Sequence, residues 1–277
     1  MRNYRIVASD LDGTLFNSRA EISEENGEAI KVLNRRGVQF VPCTGRTFCD
    51  LPRSLQDNPD IRYYICSNGA LLYDKQTETR VLQAISRELA DSVFEILRDY
   101  EVHITVRWRG CCYIDERLNN DEAFAYYKVF PSHVGVLKNY AKTQADFDAW
   151  CKEIDHVEMF FVSFADDAEL EMCKARLSKV EGLLLADPAA HGLEIFSVNA
   201  GKGLALYALA DLIGVDRMDT VAVGDSGNDL GMVEAAGLGL AVANACDSLK
   251  EIADEVICNN EQHAIDYIAT HYFTKTE

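Results

Sequence analysis

Ile6-Val7-Ala8-Ser9-Asp10-Leu11-Asp12-Gly13-Thr14 is the stretch whose reading decides the fold. Ile6-Val7-Ala8 is a short apolar run closed by Asp10, the pattern of a buried strand. Residues two apart on an extended chain point the same way, so Asp10 and Asp12 can serve one site where that strand ends. In an open parallel sheet, ligands bind just beyond the carboxyl ends of the strands. Asp-x-Asp-Gly can also be a solvated turn with Asx-type hydrogen bonds, and the stretch alone leaves both readings open.

Outward from this strand, helix-like and strand-like segments alternate. Ser23 is placed to cap a helix running through Arg36, with Ile30 and Leu33 on one face and Gly37 as its stop. Val38–Val41 and Tyr63–Cys66 read as strands, and Leu71-Leu72-Tyr73 with Arg80-Val81-Leu82 as a hairpin. The far end of the chain repeats the alternation. Lys202–Ile213 is helical, Thr220–Val223 a strand, Asp229–Ala235 a helix, Leu238–Val242 a strand and Asp247–Ala253 a helix. Such alternation implies βαβ units in a doubly wound, Rossmann-like parallel sheet of the α/β class.

Residues 84–190 have a different texture. A helix over Ser86–Asp99 precedes aromatic and β-branched strands at Val102–Trp108 and Cys111–Ile114, joined at Arg109-Gly110. Helical segments near 121–128, 144–153 and 166–179 follow, with Val157–Phe164 as an apolar strand. The expected organisation is a core domain made of 1–83 and 191–277, with an α+β domain inserted at 84–190.

Composition narrows the function classes. Of 277 residues, 48% are hydrophobic and 26% charged, which is globular rather than disordered composition. The 45 acidic and 27 basic side chains leave a net charge of −18. That balance excludes a sequence-independent nucleic-acid binder and disfavours anionic membrane surfaces. A local cation can still hold a small anionic substrate. The nine cysteines are odd in number and lack zinc-ribbon spacing, so they read as reduced thiols of a cytosolic chain. The apolar run at the start is too short for a signal peptide and no stretch approaches a membrane span, which sets the expectation of a soluble, cytoplasmic protein without a membrane partner.

Three further segments carry chemistry. Gly224-Asp225-Ser226-Gly227-Asn228-Asp229 puts polar side chains and two glycines at a strand end, which suits a hard cation bound by oxygens; a helix-capping turn is the alternative. Thr44-Gly45-Arg46 offers a hydroxyl and free amides, either a phosphate cradle or a helix cap. Lys202, between Gly201 and Gly203, sits at a helix start, where the dipole gains nothing from a cation. That placement points to a partner anion unless the lysine is simply solvated.

In order, Asp-Leu-Asp-Gly-Thr, Thr-Gly-Arg, Lys202 and Gly-Asp-Ser-Gly-Asn-Asp resemble the four motifs of the haloacid dehalogenase superfamily of phosphatases. The long insertion, Ser67-Asn68-Gly69-Ala70, Leu193-Glu194-Ile195 and Val242-Ala243-Asn244-Ala245 resemble its Cof-type sugar-phosphatase branch. The resemblance covers the whole chain; Asn199-Ala200-Gly201 departs from it mildly. It implies an aspartyl-phosphate mechanism with Asp10 as nucleophile and Asp12 as general acid and base. It implies Mg²⁺ held by Asp10, by Asp12 through its backbone carbonyl, by Asp225 and by Asp229. It implies phosphoryl binding by Leu11, Thr44, Gly45, Lys202 and Asn228. The inserted domain is then a cap that reads the leaving group, with Arg107-Trp108-Arg109 and His103 as its most suggestive polar cluster. The expected activity is hydrolysis of a small phosphorylated metabolite such as a sugar phosphate; the alternatives are a phosphosugar mutase and a non-catalytic phosphometabolite-binding protein.

Overall fold

The apolar run of the opening stretch forms strand β1 (Ile6–Ser9), every residue of which is buried. The fold is known from a computed structural model that describes residues 3–188 and 190–273. After β1 come helix α1 (Glu24–Arg35) and strand β2 (Gln39–Pro42). Ser23 caps α1 by accepting from the Asn26 amide, and Gly37 closes the turn behind it at φ +74°. Strands β3 (Tyr63–Cys66) and β4 (Leu71–Asp74) form an antiparallel hairpin, tied to the segment after β2 by the parallel bridge Cys43–Ile65. Later in the chain come α2 (Lys202–Ile213), β5 (Thr220–Gly224), α3 (Leu230–Ala235), β6 (Leu238–Ala241) and β7 (Glu255–Val256).

The main sheet runs β7-β6-β5-β1-β2 and is parallel throughout. Ile6 and Ala8 of β1, Val41 and Ala222 pack against Leu206 and Leu209 of α2 and Met232 of α3. The alternate residues Val7 and Phe40 are buried as well, so the sheet is covered on both faces, the burial that near-continuous apolar parallel strands demand. This is the α/β fold expected from the alternation. The chain leaves β1 in one direction towards β2 and returns through α2 to β5 on the other side. The carboxyl ends of β1 and β5 therefore flank the point where the strand order reverses.

The chain divides into two compact units. The first holds the residues up to Arg46, Pro52–Val81 and everything from Gly201 onward; the second holds Thr47–Leu51 and Leu82–Ala200. The second unit extends past residue 190, where the expected boundary lay, because the strand Gly192–Ser197 pairs with Met159–Phe164 on one side and Leu183–Ala186 on the other. Its six-stranded sheet continues through Val102–Trp108 and Cys111–Asp115 to Lys142–Gln144. One face packs Val106, Phe160, Val162, Phe164 and Ile195 against Phe94, Leu97, Cys173 and Leu177 of two helices. The other face, with Cys112 and Ile114, is covered by Phe124, Val129 and Leu137.

The helix Pro131–Tyr140 in that cover has no counterpart among the expected elements. Proline opens it, Gly135 interrupts it, and only His133 and Leu137 are buried, so its apolar periodicity is faint. The cysteine expectation also needs correcting. Cys49 and Cys111 form a disulfide, with Cα atoms 5.0 Å apart, while the other seven cysteines are free. The Cys49 amide donates to the Gly110 carbonyl at 2.8 Å, which docks the segment Thr47–Leu51 against the turn before Cys111. Among the described residues no helix is long and apolar enough to cross a membrane.

Candidate active site

At the end of β1 the backbone turns sharply. Asp10 is still extended and its amide donates to the Val223 carbonyl of β5 at 3.0 Å, so the two strand ends are stitched together there. Gly13, at φ +82°, lets the chain bend away; a methyl group on it would lie 2.4 Å from Oδ2 of Asp225. Leu11 is buried in the core, so only its backbone can take part in binding. The Gly13 carbonyl accepts from Asn244 at 2.8 Å, which pins the turn from behind.

The segment after β5 is built around Asp229, which has no exposed surface. Its Oδ2 accepts from the Asp225 and Ser226 amides at 3.0 and 3.1 Å. Gly224 allows this close approach, since a methyl group there would meet Asp229 Cγ at 2.4 Å. The other oxygen of Asp229 accepts from Lys202 Nζ at 2.6 Å, and the same Nζ donates to Asp10 Oδ1 at 2.7 Å. The lysine at the helix start is thus fully desolvated, and its partner anions are two carboxylates of the chain itself. The solvated alternative is excluded by burial.

These groups reset one another's proton affinity. Burial pushes the Asp10 carboxyl up to about 7; Lys202 pulls it down, and Asp229 and Asp225 add to the rise. Burial alone would lower the Lys202 ammonium, but Asp10 and Asp229 outweigh it and hold it above the ordinary range. Burial and Asp229 also raise Asp225.

Oxygens of Asp10, Asp225 and Asp229 lie within 4.8 Å of one another, a spacing that one metal ion could bridge. Oδ1 of Asp225 is buried and has no hydrogen-bond partner among the described residues. An orphaned carboxylate oxygen facing two more carboxylates fits a hard divalent cation. Asp12 stands apart from this cluster. Both its oxygens are taken by Arg46, with Nε at 2.7 Å from Oδ2 and Nη2 at 2.6 Å from Oδ1.

The remaining expected residues come to the same end of the sheet. Thr44 is buried, its amide donating to the Ile65 carbonyl and its Oγ1 accepting from the Arg46 amide at 3.1 Å. Asn228 is exposed, and its side chain reaches Asn68 Oδ1 at 3.2 Å. Arg46 and Asn68 had no role in the sequence reading, although both lie inside quoted motifs. The expected cap cluster does not survive as a group: His103 is fully buried in the second unit between the rings of Phe124 and Tyr127, and Arg107 is buried too. Alternation along Val102–Trp108 puts His103 on the face covered by Phe124. Arg109 is exposed and lies over the Trp108 ring.

A family model described as haloacid dehalogenase-like hydrolase matches residues 7–268. A phosphatase of Bacillus subtilis strain 168, YwpJ, is 30% identical, over 96% of this chain and 99% of its own length. The 5-amino-6-(5-phospho-D-ribitylamino)uracil phosphatase YwtE of the same strain is also 30% identical, over 95% of this chain and 96% of its own. The crystal structure of TM0651 from Thermotoga maritima superposes with a TM-score of 0.82 at 26% identity, covering 98% of each chain.

Proposed function

The chain belongs to the haloacid dehalogenase-like hydrolase family and is a phosphatase, and from that premise we propose a Mg²⁺-dependent phosphomonoesterase that works through an aspartyl-phosphate on Asp10 and acts on a phosphorylated sugar or sugar alcohol. The observation that carries the proposal is the buried ammonium of Lys202, paired at once with Asp10 and Asp229, beside the orphaned oxygen of Asp225. A nucleophilic carboxylate facing a phosphate dianion needs such compensation, because three carboxylates in a desolvated site would otherwise repel the substrate.

In the proposed reaction a carboxylate oxygen of Asp10 attacks phosphorus. The Asp–O–P bond forms as the bond from phosphorus to the leaving oxygen breaks. Asp12 gives its proton to that oxygen, and the alcohol departs. Asp12 then takes a proton from water, whose oxygen attacks phosphorus; phosphate is released and the Asp10 carboxylate restored. Arg46 holds the Asp12 carboxylate by both oxygens, so Asp12 leaves that pair and takes up a proton from solvent before it serves as the general acid. Thr44, the amides of Leu11 and Gly45, Lys202 and Asn228 are assigned to the phosphoryl oxygens. Mg²⁺ held by Asp10, the Asp12 carbonyl, Asp225 and Asp229 would supply Lewis-acid neutralisation of the transferring group. The second unit is assigned the reading of the leaving group. The sugar alcohol is suggested by YwtE, whose substrate carries a phosphorylated ribityl chain.

The test is phosphate release from a panel of sugar and sugar-alcohol phosphates, with Mg²⁺ and with excess chelator, alongside Asp10→Asn. Activity should vanish in chelator, return with Mg²⁺, and fall by at least about 10³-fold in the variant, since an amide is a poor nucleophile. Undiminished turnover in chelator would sink the metal assignment, and turnover by Asp10→Asn within tenfold of the native protein would sink the nucleophile.

A further inference from the structure

Between β3 and β4 the chain passes through Ser67, Asn68 and Gly69, all with left-handed backbone angles (φ +51°, +53° and +91°). Three such residues in succession are costly for side chains other than glycine and persist only where the surroundings hold them. Here the surroundings are the phosphoryl-binding parts of the first unit. The Asn68 amide donates to the Thr44 carbonyl at 3.1 Å, and the Ser67 amide to the Arg46 carbonyl at 2.9 Å, so this turn backs Thr44-Gly45-Arg46 on both sides. A methyl group on Gly69 would lie 2.3 Å from the Gly201 carbonyl oxygen, which brings the turn against the residue before Lys202. Asn68 Oδ1 accepts from Asn228 at 3.2 Å and lies 3.0 Å from where a methyl group on Gly45 would be.

We propose that Asn68 is a positioning residue of the phosphoryl site: its amide oxygen holds the otherwise exposed Asn228 side chain in one orientation and backs the Gly45 turn, so that both are arranged before substrate binds. The inference rests on the phosphoryl-binding roles given above to Asn228 and Gly45. Ser226 Oγ donates to Asn228 Oδ1 at 2.8 Å, so Asn68 and Ser226 fix the two ends of that amide between them. This leaves one amide hydrogen of Asn228 for a phosphoryl oxygen. An exposed asparagine without these anchors would sample several rotamers, and ordering it would be paid out of binding.

Asn68→Gly tests this without straining the backbone, because glycine accepts the left-handed angle. The Michaelis constant for glucose 6-phosphate, the inhibition constant of inorganic phosphate and kcat are measured for the native protein, Asn68→Gly, Asn228→Ala and the double variant. Asn68→Gly should raise the Michaelis and phosphate inhibition constants by about 3- to 10-fold with a smaller change in kcat, the size of one lost preorganised contact. In the Asn228→Ala background the same change should add less than about 2-fold, because the residues act through one contact. Equal losses in both backgrounds, or a silent Asn68→Gly beside a damaging Asn228→Ala, would overturn the inference alone. An Asn228→Ala variant with unchanged phosphate inhibition would overturn the role of Asn228, and the inference with it. A melting temperature for each variant separates any general loss of stability from these constants.

Discussion

Asp229 occupies a site where one added carbon is enough to disturb three other residues. It accepts from two backbone amides and from Lys202, and Lys202 in turn holds Asp10. Gly224 sits directly against its Cβ and Cγ, at 2.5 and 2.4 Å from the position a methyl group would take. These are atoms near the backbone, so they cannot swing aside as a side-chain tip would. Gly224→Ala should therefore push Asp229 off its amides, loosen Lys202 and lower kcat/KM by about 10²-fold or more, along with the melting temperature. Activity within threefold of native would show that Asp229 has room to move. Lys202 shows how much of this was legible in the chain. Its misplaced charge at a helix start was visible, whereas the identity of its partners, Asp10 more than 190 positions away and Asp229, required the fold.

The strand Val102–Trp108 and the helix Pro131–Tyr140 carry a pair of buried histidines, His103, expected in a polar ligand-reading cluster, and His133, which the sequence did not single out. His103 is enclosed by Phe124 and Tyr127, and His133 lies against Phe161 with Thr105 Oγ1 at 3.3 Å from its Nε2. Burial pushes His103 down to about 4 and His133 down to about 3, with Asp115 opposing the first shift and Arg107 reinforcing the second. Both then titrate below an unfolded-chain histidine, near about 6.5. In the range between, the unfolded chain binds more protons than the folded one. The stability these neutral rings contribute is thus complete above about pH 6.5 and drains as pH falls through that value towards about 4 and then 3. Each ring adds a slope approaching about 1.4 kcal/mol per pH unit. Urea unfolding of the native protein and of His133→Gln at pH 7.5, 6 and 5 should give a shallower acid loss in the variant. Parallel curves would show that His133 is not held neutral. An element of this kind escapes sequence reading because a histidine in a strand looks the same whether its face meets solvent or a covering helix.

For the molecule as a whole, the net charge of −18 extends into the candidate site, where the desolvated ammonium of Lys202 is already paired with Asp10 and Asp229. The cysteine inventory is the other global feature. Cys49 and Cys111, 62 positions apart, close a loop whose entropy in the unfolded chain is worth up to about 4 kcal/mol. Thiol titration in denaturant without reductant should count seven free groups, and reductant should lower the melting temperature. Nine free thiols would overturn the pairing.

Sequence alone determined what depends on local pattern. The strand ending at Asp10, the cap at Ser23, the alternation that gives a parallel sheet and the ordered polar segments at its strand ends are all written in spacings of a few residues, where backbone geometry and burial act directly. Tertiary structure decided what depends on contact between distant segments. It brought Lys202 between Asp10 and Asp229, turned Asp12 towards Arg46, set Asn68 against Asn228, paired Gly192–Ser197 with the second unit's sheet and buried His103. The physical reason is that desolvation and ion pairing are properties of a neighbourhood: the same lysine or histidine takes either fate until the fold has chosen which groups surround it.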